Sequence, residues 1–134
     1  MSDYRKLEAW QLAHATRIAI YRVTVGYPKH ERFSLVDQTR RAATSVTANI
    51  AEGAGRSSDR EYARYLSIAV GSTNEVEDHL LLAKDLGYLP FDRWAEITAD
   101  VTRVRAMVTR LRQFMRRSTT SVDDGRRATG DGRP

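Results

Sequence analysis

The chain has 134 residues and no cysteine, which excludes disulfide frameworks and metal sites built on thiolates. Hydrophobic residues make up 41% of the chain, which is enough for one domain with its own core. Of the 22 basic residues, 19 are arginines, and the net charge is +5. A polyanionic partner and ordinary surface pairing of arginine with glutamate both account for this charge.

The spacing of the prolines favours an all-α protein. The chain has three prolines and none between Lys29 and Leu89, so long helices can run uninterrupted there. The first residues lack the apolar core of a signal peptide, and the longest uncharged stretches have ten residues, about half of the ~20 that span a bilayer. We expect a cytoplasmic protein with no membrane contact.

The first half of the chain predicts two helices, near residues 7–25 and 34–53. Two neighbouring apolar stripes line the first helix, which is therefore apolar on more than one side, and Gly26 and Pro28 predict its end. Ser34 is the predicted N-cap of the second helix, and Asp37 lies in its first turn. The segment from Gly53 to Gly55 predicts the end of this helix.

The second half predicts helices near residues 59–86 and 90–116. The third begins after Ser58 and ends at Gly87, and its internal Gly71 is expected where another helix packs closely. The fourth begins at Pro90 and has near-heptad apolar spacing. From Ser118 the composition is too polar to fold, so we expect a four-helix domain over 1–117 and a disordered tail over 118–134.

Short connections between four helices predict an antiparallel, up-down-up-down four-helix bundle. The apolar surface of the first helix exceeds what the interior of one bundle can use, which favours assembly into a homo-oligomeric ring.

The sequence contains no recognisable catalytic motif or cofactor site, and we expect a protein that is not an enzyme. Gly53, Ala54 and Gly55 lack the lysine of a phosphate-binding loop and follow no predicted strand. Glu75, Asp78 and His79 lie within one helical turn, but a bundle metal site needs a matching set on another helix. A metalloenzyme is therefore a distant alternative, and no metal ligands are assigned.

Arginines on the predicted fourth helix form the strongest functional signal. Three of them recur every seven residues, others flank them, and the second helix adds two more. Phosphate binding is one explanation of this ridge. The other is structural, because arginines near the end of a helix complement the helix dipole and cover the core with their apolar stems. The predicted nucleic-acid-binding residues are Arg40, Arg41, Arg103, Arg105, Arg110 and Arg112.

Several segments resemble one bacterial family. They are residues 27–35 (YPKHERFSL), Gln38, residues 40–43 (RRAA), Ser45-Val46, residues 48–53 with the motif Asn49-Ile50-Ala51-Glu52-Gly53, residues 65–69 (YLSIA), Gly71-Ser72, Asn74-Glu75 and residues 85–89 (DLGYL). This pattern is similar to the four-helix-bundle proteins associated with intervening sequences in 23S ribosomal RNA genes. The resemblance covers about residues 3–116, and Thr47 stands where the family commonly has proline.

The resemblance implies an oligomeric RNA- or protein-binding module. The family is similar to the accessory variability proteins of diversity-generating retroelements, which implies a pentameric ring, RNA or DNA binding through basic surfaces, and a reverse transcriptase as a possible partner. A purely structural oligomer that binds no nucleic acid is the alternative.

The segment around Asn49 has a structural explanation from its chemistry alone. Asn49 and Glu52 near a helix end can satisfy backbone groups or neighbours, and Gly53 can supply a positive φ. We therefore treat Asn49, Glu52, Gly53 and Gly71 as structural. For Arg40 and Arg41 two interpretations stay open. They bind phosphate, or they form ion pairs with Glu52 or Glu75 across a subunit interface.

Overall fold

The computed structural model describes the backbone of residues 3–130 and the side chains of residues 3–119. Over this range the protein is all-α, with four α-helices and no strand. Two short 3-10 helices, Tyr4–Lys6 and Lys29–Glu31, precede the first and second α-helices. The α-helices are α1 (Glu8–Thr24), α2 (Leu35–Ala54), α3 (Asp59–Asp85) and α4 (Phe91–Gly130).

The helix boundaries agree with the predicted ones to within one or two residues, except at the end of α4. The predicted fourth helix ends at residue 116, whereas the backbone of α4 stays helical to Gly130. The prediction rested on polar composition alone, but the segment has no proline before Pro134, and extending an existing helix adds one hydrogen bond per residue without a new nucleus. The last part of the predicted disordered tail, residues 131–134, lies outside the described residues.

Each helix packs on the next one along the chain, and α4 also packs on α1. Because α1 and α3 each pack on both α2 and α4, they stand at diagonally opposite corners of the bundle. The core lies between the four helices, where Ile20, Ile50, Leu66, Leu80 and Val108 are fully buried. A small space of about 20 Å³ lies among Ala13, Ile20, Val46 and Val104, which is about the room that one water molecule needs.

Local chemistry explains where α3 begins and ends. The Ser58 side chain accepts a hydrogen bond of 3.1 Å from the backbone N–H of Glu61, as an N-cap does. At the other end Gly87 has φ +80°, and the N–H of Tyr88 donates to the carbonyl of Ala83 at 2.9 Å. Ser34 also precedes its helix as predicted, but its hydroxyl contacts the Glu31 carboxylate rather than a backbone N–H of α2.

Gly53 does not have the positive φ that the sequence suggested, because it lies inside α2. A Cβ at this position would come within 2.9 Å of the Tyr62 ring and 3.1 Å of the Tyr65 Cβ. Gly53 therefore allows α2 and α3 to approach closely beside the short connection that joins them.

The expectation of close packing at Gly71 is wrong within one chain. Gly71 is exposed on α3, and a Cβ added there would meet no atom within 4 Å. No neighbour inside the bundle therefore explains this mid-helix glycine.

Candidate nucleic-acid interface

The predicted arginine ridge on α4 is divided between two sides of the helix. Successive residues of an α-helix are about 100° apart, so Arg103 and Arg110 project from α4 in a different direction from Arg105 and Arg112. Arg103 and Arg110 are exposed, whereas Arg105 and Arg112 are partly buried against α3. The six predicted residues do not form one surface.

Arg105 and Arg112 hold α4 against α3. The Arg105 Nε donates to the Thr73 hydroxyl at 3.1 Å, and its guanidinium also forms an ion pair with Glu77. Arg112 donates to the Ser67 hydroxyl at 3.4 Å, and its Nε is buried with no hydrogen-bond partner among the described residues. These two arginines are committed to the bundle and are poor candidates for phosphate contacts.

Arg40 joins α2 to the last turn of α1. Its Nε donates to the Thr24 hydroxyl at 2.9 Å, and a second nitrogen donates to the Tyr21 carbonyl at 3.1 Å. The guanidinium also lies over the Tyr21 ring, 4.7 Å from its centre. Arg40 therefore supplies a hydrogen-bond donor to a carbonyl in the last turn of α1, where helix carbonyls generally lack an intrahelical partner. The position of Arg40 in the sequence does not indicate this role.

Three of the predicted residues have side chains that reach solvent. The Arg41 side chain is 80% exposed and pairs with Asp37 one turn earlier at 2.9 Å. The Arg103 side chain is 68% exposed, with Asp100 at 3.5 Å. Arg110 is exposed and has no ion-pair partner among the described residues. Exposed ion pairs of this kind are worth about 0–1 kcal/mol, so phosphate can displace them.

The structure shows a second basic surface that the sequence reasoning missed. An open groove of about 590 Å³ lies between the start of α3 and the last described turns of α4. We call this the α3–α4 groove. Its lining residues are Arg60, Glu61, Ala63, Arg64, Ser67, Arg116 and Thr119.

The described side chains of this groove carry more positive than negative charge. Among them, three arginines face one carboxylate, Glu61, which forms an ion pair with Arg64 at 3.1 Å. The hydrogen bond to Glu61 raises the pKa of the Arg64 guanidinium above its already high value, so this group stays charged. Arg116 donates to the Ser67 hydroxyl at 3.3 Å, which directs its guanidinium toward α3.

Tyr65 lies beside the groove and contacts two arginines. The guanidinium groups of Arg56 and Arg64 are 4.8 Å and 4.6 Å from the centre of its ring. Such contacts hold flexible arginine side chains near one another. The spacing of Arg60 and Arg64 by four residues was the sequence signal for this surface, because residues four apart share a helix face.

The residues treated as structural motifs have local roles. The Asn49 amide donates to the Ser45 carbonyl at 2.8 Å and to the Ser45 hydroxyl at 3.1 Å. That hydroxyl also bonds Ser72 of α3 at 2.8 Å. Glu52 forms an ion pair with Arg56 one turn later. Within the chain, Arg40 and Arg41 contact other residues and do not pair with Glu52.

No described group of three histidine, aspartate or glutamate side chains lies close enough to hold a metal ion. Glu75 and Asp78 are exposed on α3, and the nearest Asp78 oxygen to His79 is 3.9 Å from its ring nitrogen. Within residues 3–130, no helix combines the length and hydropathy needed to cross a membrane.

Comparisons with known proteins place the chain in a family. Residues 5–110 match the family model of the 23S rRNA-intervening sequence protein. A similar solved structure is that of a protein of unknown function from the S23 ribosomal protein family of Bacteroides thetaiotaomicron VPI-5482. It is 24% identical, covers 75% of this chain and 94% of its own, and gives a TM-score of 0.68, which supports the same fold. A search of curated proteins returns no match. The family match spans most of the sequence, and the chain therefore belongs to the 23S rRNA-intervening sequence protein family.

Proposed function

We propose that this protein is a non-enzymatic, homo-oligomeric module that binds the phosphate backbone of nucleic acid through exposed arginines. The observation that carries the proposal is the α3–α4 groove, where Arg60, Arg64 and Arg116 line one concave surface. Guanidinium groups bind phosphate in a bidentate manner, and a groove presents them to one polymer strand together.

Structured RNA is the first polymer to test, because the family description names an intervening sequence of 23S rRNA. Backbone contacts carry little sequence information, so we expect binding that depends on salt and little on sequence. DNA with similar phosphate spacing should compete with RNA for binding to the same arginines. A reverse transcriptase is a further possible partner, on the similarity to accessory variability proteins.

The proposal gives the six originally predicted arginines different tasks. Arg41, Arg103 and Arg110 lie outside the α3–α4 groove and add separate, weaker phosphate contacts. Arg40, Arg105 and Arg112 act on the fold, since each donates hydrogen bonds to a neighbouring helix. Phosphate binding by these three would require breaking those bonds.

We also propose the finer architecture, an antiparallel bundle that assembles into a ring of five copies. Supporting the antiparallel arrangement, Ser67 of α3 contacts Arg112 and Arg116 of α4, whereas Thr73 and Glu77, later in α3, contact the earlier Arg105. A ring repeats each weak phosphate contact, which raises avidity for a long polymer. Light scattering measures the number of copies.

A salt titration of RNA binding tests the proposed function. Wild type is compared with Arg60→Glu/Arg64→Glu, using a fluorescent RNA hairpin and fluorescence anisotropy between low and moderate salt. Each lost phosphate contact reduces the slope of log K against log salt by about 0.7–0.9, so the double variant should lose about 1.5 from the slope.

The matched control is Arg32→Glu/Arg93→Glu, which changes the net charge equally. Both residues are exposed at the other end of the bundle, near the loop where Tyr88 contacts His30. If control and groove variants lose the same affinity, only overall charge matters and the groove proposal is wrong. If wild type binds no RNA or DNA at low salt, the nucleic-acid function is refuted in favour of the purely structural oligomer.

A further inference from the structure

A second open groove, of about 580 Å³, follows the outer face of α1 beside α2. We call it the α1 groove. Its floor is apolar, and three of its side chains are arginines, while no carboxylate lines it. Val25 is 76% exposed and Tyr21 is 42% exposed, which is unusual for large apolar side chains that lie together. The lining residues are His14, Arg17, Ile18, Tyr21, Arg22, Val25, Arg40 and Thr44.

From Ile68 onward, the outward face of α3 has the opposite charge. Steps of three and four residues place one set of side chains along a single line of this helix, which we call the α3 stripe. It combines exposed apolar side chains with two exposed carboxylates and contains no cation. Its members are Ile68, Gly71, Glu75, Asp78, Leu82 and Leu86.

Gly71 lies within the α3 stripe and is otherwise unexplained. A glycine inside a helix costs about 1 kcal/mol relative to alanine. Within the chain nothing approaches its position to within 4 Å. Packing of a second surface against the stripe from outside would explain this glycine, because the missing side chain lets another helix come close to the α3 backbone.

We propose that the α3 stripe of one copy docks into the α1 groove of a second copy. Ile68 and Leu82 would cover the apolar floor formed by Ile18, Tyr21 and Val25. Glu75 and Asp78 would meet the arginines at the groove edge. Arg22 and Glu75 are the clearest partners, since both are exposed and neither has an ion-pair partner among the described residues.

This contact joins two different surfaces of the same chain. Because α1 and α3 stand at diagonally opposite corners, each copy can present its stripe to one neighbour and its groove to another. Such head-to-tail contacts produce closed rings or open filaments rather than twofold dimers. The inference therefore deepens the proposed oligomer, and it does not depend on nucleic-acid binding.

Charge reversal tests the pairing directly. Purified wild type, Arg22→Glu, Glu75→Arg and the combination of both changes are compared by size-exclusion chromatography with light scattering. We expect each single variant to lose at least tenfold in assembly affinity, and the combination to regain the wild-type size because opposite charges face each other again. Arg93→Glu, at an exposed site on α4, is the matched control and should keep the wild-type size.

A mixture of the two single variants gives a sharper result. The unchanged stripe of an Arg22→Glu molecule can dock into the unchanged groove of a Glu75→Arg molecule, and in the next contact the reversed stripe of Glu75→Arg meets the reversed groove of Arg22→Glu with opposite charge. The mixture should therefore form assemblies in which the two variants alternate, although neither variant assembles alone. Helix content from circular dichroism confirms that each variant is folded.

Three results would overturn the inference: a wild-type monomer at tens of micromolar, single variants that keep the wild-type size, or a combined variant that remains dissociated. An RNA titration of the same samples separates this outcome from the proposed function. Loss of assembly with residual weak RNA binding contradicts neither proposal, and intact assembly without RNA binding refutes only the nucleic-acid function.

Discussion

Replacing Gly53 by alanine should destabilise the bundle, although alanine is the better helix former. In an exposed helix the change gains about 1 kcal/mol of free energy of unfolding. Here the new methyl group would lie 2.9 Å from the Tyr62 ring and 3.1 Å from the Tyr65 Cβ. The ring can turn aside, but the Tyr65 Cβ moves only with the backbone of α3.

Overpacking of this kind costs about 1–3 kcal/mol, so the net effect of Gly53→Ala is a loss of about 1 kcal/mol. Gly71→Ala is the matched control, since its methyl group meets nothing within the chain and should gain about 1 kcal/mol. For a domain of this size, 1 kcal/mol corresponds to about 4 °C in Tm, so the two variants should differ by about 8 °C.

Urea unfolding followed by circular dichroism measures both changes. Both changes are introduced into Arg22→Glu, which is expected not to assemble, because Gly71 lies at the proposed contact between copies. A midpoint that stays the same at two protein concentrations tenfold apart then reports on the fold alone. If Gly53→Ala raises the free energy of unfolding as much as Gly71→Ala does, the close approach of α2 and α3 does not limit this position.

Two further predictions concern polar side chains in the bundle. Burial raises the pKa of Tyr27 to about 12 from its ordinary value of 10, so its contribution to stability is complete below pH 10 and is lost as the pH rises toward 12. The Tyr27 hydroxyl has no described hydrogen-bond partner, so Tyr27→Phe should leave stability at pH 7 unchanged or raised by up to about 1 kcal/mol. In urea titrations at pH 7 and pH 11 the variant should show the smaller decline, and an equal decline would assign the alkaline sensitivity to other groups. Arg105→Ala should lower the free energy of unfolding by about 1 kcal/mol through its lost contacts to α3, whereas Arg103→Ala should change it little. Equal effects of these two variants would contradict the different roles assigned to the arginines.

Helix positions could be predicted from the sequence because their signals are local. Ser58 and Gly87 mark the ends of α3 through hydrogen bonds to residues within one turn, and the apolar spacing between them needs no knowledge of the neighbours. The end of α4 was harder to predict, because the residues after Arg117 are polar but include no proline before Pro134 that would stop a helix already formed.

The basic surfaces were less predictable, because their form depends on which neighbour each arginine meets. Arg103 and Arg105 are two positions apart in sequence, yet only Arg105 reaches Thr73 and Glu77 of α3. Arg60 and Arg116 belong to separate helices, and only the packing of α3 on α4 brings them to one groove. Sequence spacing identifies a shared helix face, but not the helix that covers it.

The order in which the helices pack has a consequence for folding kinetics. Contacts between successive helices join residues that are close in sequence, and domains rich in such contacts fold in microseconds to milliseconds. The packing of α1 on α4 joins the first α-helix to the last one. There, Ala13 and Ile20 share the central space with Val101 and Val104. Closing this largest loop carries the greatest entropic cost and is expected after α2, α3 and α4 have met. Side chains of α1 that face α4 therefore govern how long the folded state lasts more than how quickly it forms.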